Sequence, residues 1–169
     1  MPRAVHVPAR LERLDQSITT WLASSALSML RVGLGVVFIW FGGLKAASLS
    51  PAADLVGRTT DWAFDPSWFV PFLGWWEVAI GICLLDPLRT LGRGAWMTRA
   101  GILLLVLQMP GTFLPLVVVP ERCFNGSVFA LTIEGQYIVK NLVLIAAAVA
   151  LGSTVRARRG EAILPTMGA

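Results

Sequence analysis

The chain has 169 residues, of which 56% are hydrophobic and only 14% charged, with a mean hydropathy of +0.70. Soluble domains carry about 25% charged and 45–50% apolar residues, so one core of this size cannot bury the apolar surplus, which must face something other than water. The apolar surplus excludes disorder, and two cysteines are too few for a disulfide scaffold; a charge-driven nucleic-acid module is excluded because the formal charge of +4 sits mostly at the ends of apolar runs, as in membrane proteins.

Residues 1–25 form a charged N-terminal segment. Within it Leu11, Leu14, Ile18 and Trp21 recur at helical spacing between Arg10, Glu12, Arg13 and Asp15. That pattern predicts a short amphipathic helix on the inner membrane surface, with a partly ordered tail as the competing reading. No short apolar run precedes a cleavage site, so the first span is expected to be retained. A membrane-crossing helix needs about 20 mostly apolar residues. Four stretches qualify, at 26–45, 68–85, 95–117 and 135–152. Between the first two, Ser50 and Pro51 suit the start of a short helix, and Trp62, Phe64, Trp68 and Phe69 an outer aromatic belt. Pro110 and Pro115 are expected to kink or break the third span, since each removes a backbone donor and crowds the preceding turn. Residues 153–169 read as a loose basic tail.

Orientation follows from the arginines. Arg3, Arg10 and Arg13 precede the first span; Arg89 and Arg93 lie between the second and third, with Arg99 at the membrane edge; Arg156, Arg158 and Arg159 follow the fourth. The other two connections hold Lys45, Arg58 and Arg122 against Asp54, Asp61, Asp65 and Glu121. The expected fold is therefore all-α: a four-helix transmembrane bundle in the cell membrane, both termini cytoplasmic, with a multi-pass domain over 26–152.

The most informative residues are the polar ones inside the spans, where a central charge costs roughly 2.5–3.5 kcal/mol on insertion scales and normally faces a partner. Glu77 lies near the middle of the second span. Gly74 and Gly81, at i−3 and i+4, share its face and permit close approach of another helix. In the first span Arg31, Gly35, Phe38, Gly42 and Lys45 step by four, three, four and three into one stripe, with Arg31 read as a snorkelling interface residue. Glu134, Tyr137, Asn141 and Ala148 share a face of the fourth span, with Lys140 beside them. Glu77, Gln108, Lys140 and Asn141 can converge in the bundle. Lys45 and Tyr137 complete the candidate ligand-binding cluster. Two readings compete: an ion pair of Glu77 with Lys140 or Lys45 that makes insertion tolerable, or a polar pocket for a ligand, a proton or a quinone head group.

Other chemistry is thin. The single histidine, His6, lies in the tail, and no His, Cys and carboxylate cluster has metal-ligand spacing. There is no Cys-x-x-Cys motif. Cys83 and Cys123 are expected most of a bilayer apart, too far for a disulfide. Gly33 and Gly35 lie inside an apolar helix and read as packing rather than a nucleotide loop. No self-contained catalytic apparatus is visible.

Three blocks together resemble the DoxX-like family of small membrane proteins, particularly its YkgB-type branch: the run from Arg31 to Lys45, the run from Gly74 to Leu85 around Trp75, Trp76 and Glu77, and the run from Glu134 to Leu144 around Tyr137, Lys140 and Asn141. The run from Leu107 to Leu114 is similar to the third-span segment of some relatives. The resemblance covers roughly residues 26–155 and implies a four-helix membrane bundle. Some relatives are linked to thiosulfate:quinone oxidoreductase, others to membrane redox or oxidative-stress complexes. The family positions that map here are Arg31, Lys45, Glu77 and Lys140. Many relatives carry an acidic residue where this chain has Asn141, which removes one partner of Lys140 and favours its pairing with Glu77.

The resemblance implies an accessory, non-catalytic subunit of a membrane redox system, with the bilayer and an oxidoreductase subunit as partners, no intrinsic cofactor and a quinone as candidate ligand. A small transporter or proton conductor using Glu77 and Lys140, and an assembly or scaffolding factor, are the alternatives. A homo-oligomer is compatible with each. Nucleic acid is not an expected partner, because the basic ends orient the protein and touch anionic lipid.

Overall fold

The computed structural model of the chain describes residues 9–86 and 94–160. Arg3, His6, Arg89, Arg93 and the last nine positions of the expected tail lie outside the described residues. Among the described residues eight helices follow in order: α1 (Ala9–Ala46), α2 (Ala53–Thr60), α3 (Pro66–Leu85), α4 (Gly94–Phe113), α5 (Pro115–Val118), α6 (Pro120–Cys123), α7 (Ile133–Val139) and α8 (Asn141–Gly160). The four stretches long and apolar enough to cross a membrane are Ala9–Ala46, Pro66–Leu85, Trp96–Val118 and Ile133–Ser153. Among the described residues there is no β-strand, only a bridge between Phe124 and Leu131.

The long helices alternate in direction. Gly42 of α1 meets Gly74 and Glu77 of α3, whereas Gly35 meets Gly81 and Leu85, so the two helices run antiparallel. Gly101 of α4 packs on Cys83 and Leu84, and Trp76 Nε1 donates to the Leu104 carbonyl at 3.2 Å. Gly152 of α8 lies against Ile102. Each long helix thus packs on its chain neighbour, and α8 closes back on α1. A core of Leu34, Phe38, Ile80, Leu84, Leu105, Met109, Ala147, Ala148 and Leu151 fills the ring.

The α1–α3 pair is the tightest, for a reason readable in spacing. Gly35 and Gly42, and Gly74 and Gly81, are each seven residues apart, two turns on one face. A Cβ at Gly42 would lie 2.6 Å from the Gly74 carbonyl oxygen, and one at Gly81 2.6 Å from the Gly35 carbonyl oxygen. Only glycines let the two backbones come this close.

Three boundaries differ from expectation. The N-terminal amphipathic segment is not a separate surface helix: it continues into the first span as one 38-residue helix. No proline or glycine interrupts Ala9 to Val32, and the Ser17, Thr20 and Ser24 hydroxyls bond to carbonyls of their own helix, leaving nothing to turn the chain. The third span passes through Pro110 and breaks at Leu114, ahead of Pro115, which starts α5 without an N–H to donate. The fourth span is broken at Lys140, and α8 runs on to Gly160, so the first part of the expected tail is helical.

The connections are capped. Asp65 accepts from Ser67 N at 2.8 Å at the start of α3, and Pro66 follows it at the first helical position. The short helix expected near Ser50 and Pro51 is α2, entered through a turn in which Ser50 Oγ accepts from Ala52 N at 3.2 Å. Thr132 caps α7 by accepting from Gly135 N at 3.1 Å, while its hydroxyl donates to the Arg122 carbonyl at 2.6 Å. This ties α7 to α6, where Gly135 sits against the Cys123 carbonyl with no room for a Cβ.

Candidate functional site

Glu77 occupies the fourth turn of α3, on the face that carries Gly74 and Gly81, and is only 5% exposed. Because Gly42 and Gly74 bring α1 and α3 together at this level, Lys45, one turn beyond Gly42, reaches the carboxylate directly. Lys45 Nζ lies 2.5 Å from Glu77 Oε1, with both side chains largely withdrawn from the surface. From α4, Gln108 Nε2 donates to the same oxygen at 2.6 Å. One carboxylate oxygen therefore ties three helices. The other, Glu77 Oε2, and the Gln108 carbonyl oxygen are buried with no protein partner.

Beside this triad lies a cavity of about 410 Å³. It is bounded by α1, α3, α4, the α7–α8 junction and, at one end, α2. Lys45, Glu77, Gln108, Tyr137 and Asn141 all line it. The rest of its wall is mainly apolar and aromatic, including Phe41, Phe69, Phe72 and Trp76. Three of these aromatics belong to a continuous series, Phe64, Trp68, Phe69, Phe72 and Trp76, in which the Phe64 and Phe69 rings stack at 4.5 Å. Of the expected belt, Trp62, Phe64 and Phe69 border the cavity and Trp68 does not, while Trp62, Phe64 and Trp68 all remain exposed. Tyr137 packs edge-on against Phe41, with ring centroids 6.3 Å apart, between α1 and α7. Thr59 and Thr60 of α2 also face the cavity, their hydroxyls donating to the carbonyls of Leu55 and Val56.

Lys140 stands apart from the other candidates. It is exposed, does not line the cavity and makes no ion pair among the described residues. The pairing of Glu77 with Lys140 that the Asn141 substitution favoured is therefore corrected to pairing with Lys45. The reason is angular: Tyr137, Asn141 and Leu144 line the cavity about one turn apart, and Lys140, one residue from Asn141, lies roughly 100° around the helix from that face. The Val143 N–H bonds to the Lys140 carbonyl, three residues back, in a tightened turn.

A second intramolecular ion pair lies at the opposite end of α3. Arg31 sits 3.7 Å from Asp86, whose side chain is almost fully buried. Arg31 is thus held by a partner rather than snorkelling free. Asp86 closes α3 in the left-handed conformation, φ 53°, with its N–H on the Ile82 carbonyl. In the sequence Asp86 is only the residue that follows the second apolar stretch. The signal was its position: Arg31 and Asp86 flank the Gly35–Gly81 crossing just as Lys45 and Glu77 flank the Gly42–Gly74 crossing.

Among the described residues no group of three His, Cys, Asp or Glu side chains is placed to hold a metal ion. Cys83 and Cys123 are free thiols. Burial, then the charges of Glu134 and Glu121, push the Cys123 thiol up from its ordinary value, which keeps it protonated and unreactive. The site offers a charge-neutral Lys–Glu pair, amide and phenol groups and two orphan acceptors against an aromatic chamber. That set suits binding of a molecule with a polar head and an apolar body. No family model, curated protein or solved structure matches the chain.

Proposed function

We infer that the protein is a DoxX-like, multi-pass protein of the cell membrane with both termini cytoplasmic. In this reading it serves as an accessory, non-catalytic subunit of a membrane redox or oxidative-stress system and holds a quinone or lipid in the chamber beside Glu77. The observation that carries it is the convergence of Lys45, Glu77, Gln108, Tyr137 and Asn141 on one largely aromatic cavity between helices. The orientation rests on the arginine distribution along the sequence. Conduction through Glu77 and Lys140 has less support, because those two groups are not brought together and Glu77 is held by Lys45.

Trp62 and Trp76 line the chamber, so a quinone bound there would quench their fluorescence. Titration of the full chain in mild detergent with a short-tailed quinone should give saturable quenching. Gly111 lines the same chamber and has nothing within 4 Å of a Cβ, so Gly111→Leu places a side chain in the open space and should weaken binding at least tenfold. Quenching that is unsaturable and identical in the variant would remove the quinone reading. Purification from native membranes should bring down an oxidoreductase; isolation without one under every growth condition would remove the subunit reading.

A further inference from the structure

α1 runs far beyond the bundle it belongs to. Its level with the end of α3 is marked by the Arg31–Asp86 pair. α4 and α8 continue seven and eight residues past the crossings of Gly101 with Leu84 and of Gly152 with Ile102. That still leaves about the first 17 residues of α1, on the order of 25 Å of helix, clear of the other described elements. Along this projection Leu11, Leu14, Ile18, Trp21 and Leu22 are between 50% and 59% exposed. Because the helix is continuous with the span, a bilayer core of about 30 Å centred on residues 26–45 leaves the stripe outside the hydrocarbon.

The stripe has the form of a coiled-coil seam. Leu11, Leu14, Ile18 and Trp21 step by three, four and three, the a and d positions of two heptads. Arg10 and Asp15 flank the seam five residues apart, at the g and e positions through which parallel helices exchange charge. Neither forms an ion pair within the chain among the described residues. Two copies inserted in one membrane with the same topology must run parallel. We propose that the α1 projection pairs with a second copy of this chain as a parallel two-stranded coiled coil, Arg10 of each copy facing the partner's Asp15. At roughly 100° per residue Ile18 lies on the opposite side of α1 from Phe38, so pairing leaves the cavity wall free.

The test is charge exchange in the full chain. Light scattering in mild detergent, and energy transfer between labelled copies in liposomes, should show a dimer for the wild type. Arg10→Asp and Asp15→Arg should each weaken it about tenfold by placing like charges across the seam, and the double variant should restore it to within about threefold. Ile18→Glu should abolish it while quinone quenching in the chamber beside Glu77 stays unchanged, or, should no quinone bind, while the helix content by circular dichroism does. A wild type monomeric in both media overturns the proposal. A dimer indifferent to Ile18→Glu does so too, because its interface would then lie elsewhere, and rescue absent in the double variant removes the parallel register.

Discussion

Glu77 receives Lys45 and Gln108 on a single carboxylate oxygen, and the consequences of removing each group differ. Lys45→Ala leaves a buried carboxylate with only an amide to hold it, and Glu77→Ala leaves a buried ammonium. Each should cost about 3–5 kcal/mol, read as a loss of thermal stability in detergent. Replacing both with apolar residues of similar size, Lys45→Met with Glu77→Leu, should recover most of that loss, because no uncompensated charge remains. Lys140→Ala, at an exposed site outside the cavity, should change stability by less than about 0.5 kcal/mol. If Lys140→Ala proved as damaging as Lys45→Ala, the pairing described here would be wrong. The importance of Glu77 was legible from the sequence, since a lone carboxylate in an apolar run demands a partner. Its choice of lysine was not, because that choice turns on which helix packs closest at the level of Glu77. Asp86 escaped because a residue at the end of an apolar run reads as solvated until the helix packed against it is known.

The same contrast between contact and open space separates neighbouring glycines within one helix. A Cβ at Gly42 would fall 2.6 Å from the Gly74 carbonyl oxygen and 2.8 Å from Glu77 Cβ, whereas Gly43 has nothing within 4 Å. Gly42→Ala should force α1 and α3 apart, destabilising by about 1–3 kcal/mol and drawing Lys45 off Glu77. Gly43→Ala should be neutral or stabilising by up to about 1 kcal/mol through its better helix propensity. Thermal unfolding of the two variants side by side is the measurement, and equal effects would mean the close crossing is absent. At the start of α3, the Ser67 backbone N–H, and then its side chain, hold Asp65 below the usual carboxylate value of 3.8. A lowered folded value means the cap's contribution is present above pH 3.8 and is lost as pH falls through the lower folded value. Asp65→Asn, which keeps an acceptor but does not titrate, should flatten that part of the acid limb of the unfolding curve. The seven-residue spacing of the glycine pairs made the α1–α3 contact readable in the sequence. The length of α1 was not, because composition alone cannot tell a polar helix on a membrane from one that continues a span.

Across the whole molecule, four alternating spans put the start of α1 and the end of α8 at one end, and α2 with the α6–α7 turn at the other. That turn carries Asn125 to Ala130 around Gly126, closed by the Asn125 N–H on the Ala130 carbonyl at 2.7 Å. Ser127 in the turn and Ser17 on the α1 projection are both exposed, so a cysteine at either site is accessible from its own side of the membrane. The native thiols interfere little: Cys123 is fully buried with its thiol pushed up, and Cys83 lies inside a span. If the arginine-rich end is cytoplasmic, a membrane-impermeant maleimide applied to intact cells should label Ser127→Cys and leave Ser17→Cys unlabelled until the membrane is permeabilised. The reverse pattern would invert the bundle in the membrane without altering its fold. Labelling of both sites from outside would contradict the alternation of the spans itself, and with it the placement of the Glu77 chamber nearer the α2 end than the end bearing Arg31 and Asp86.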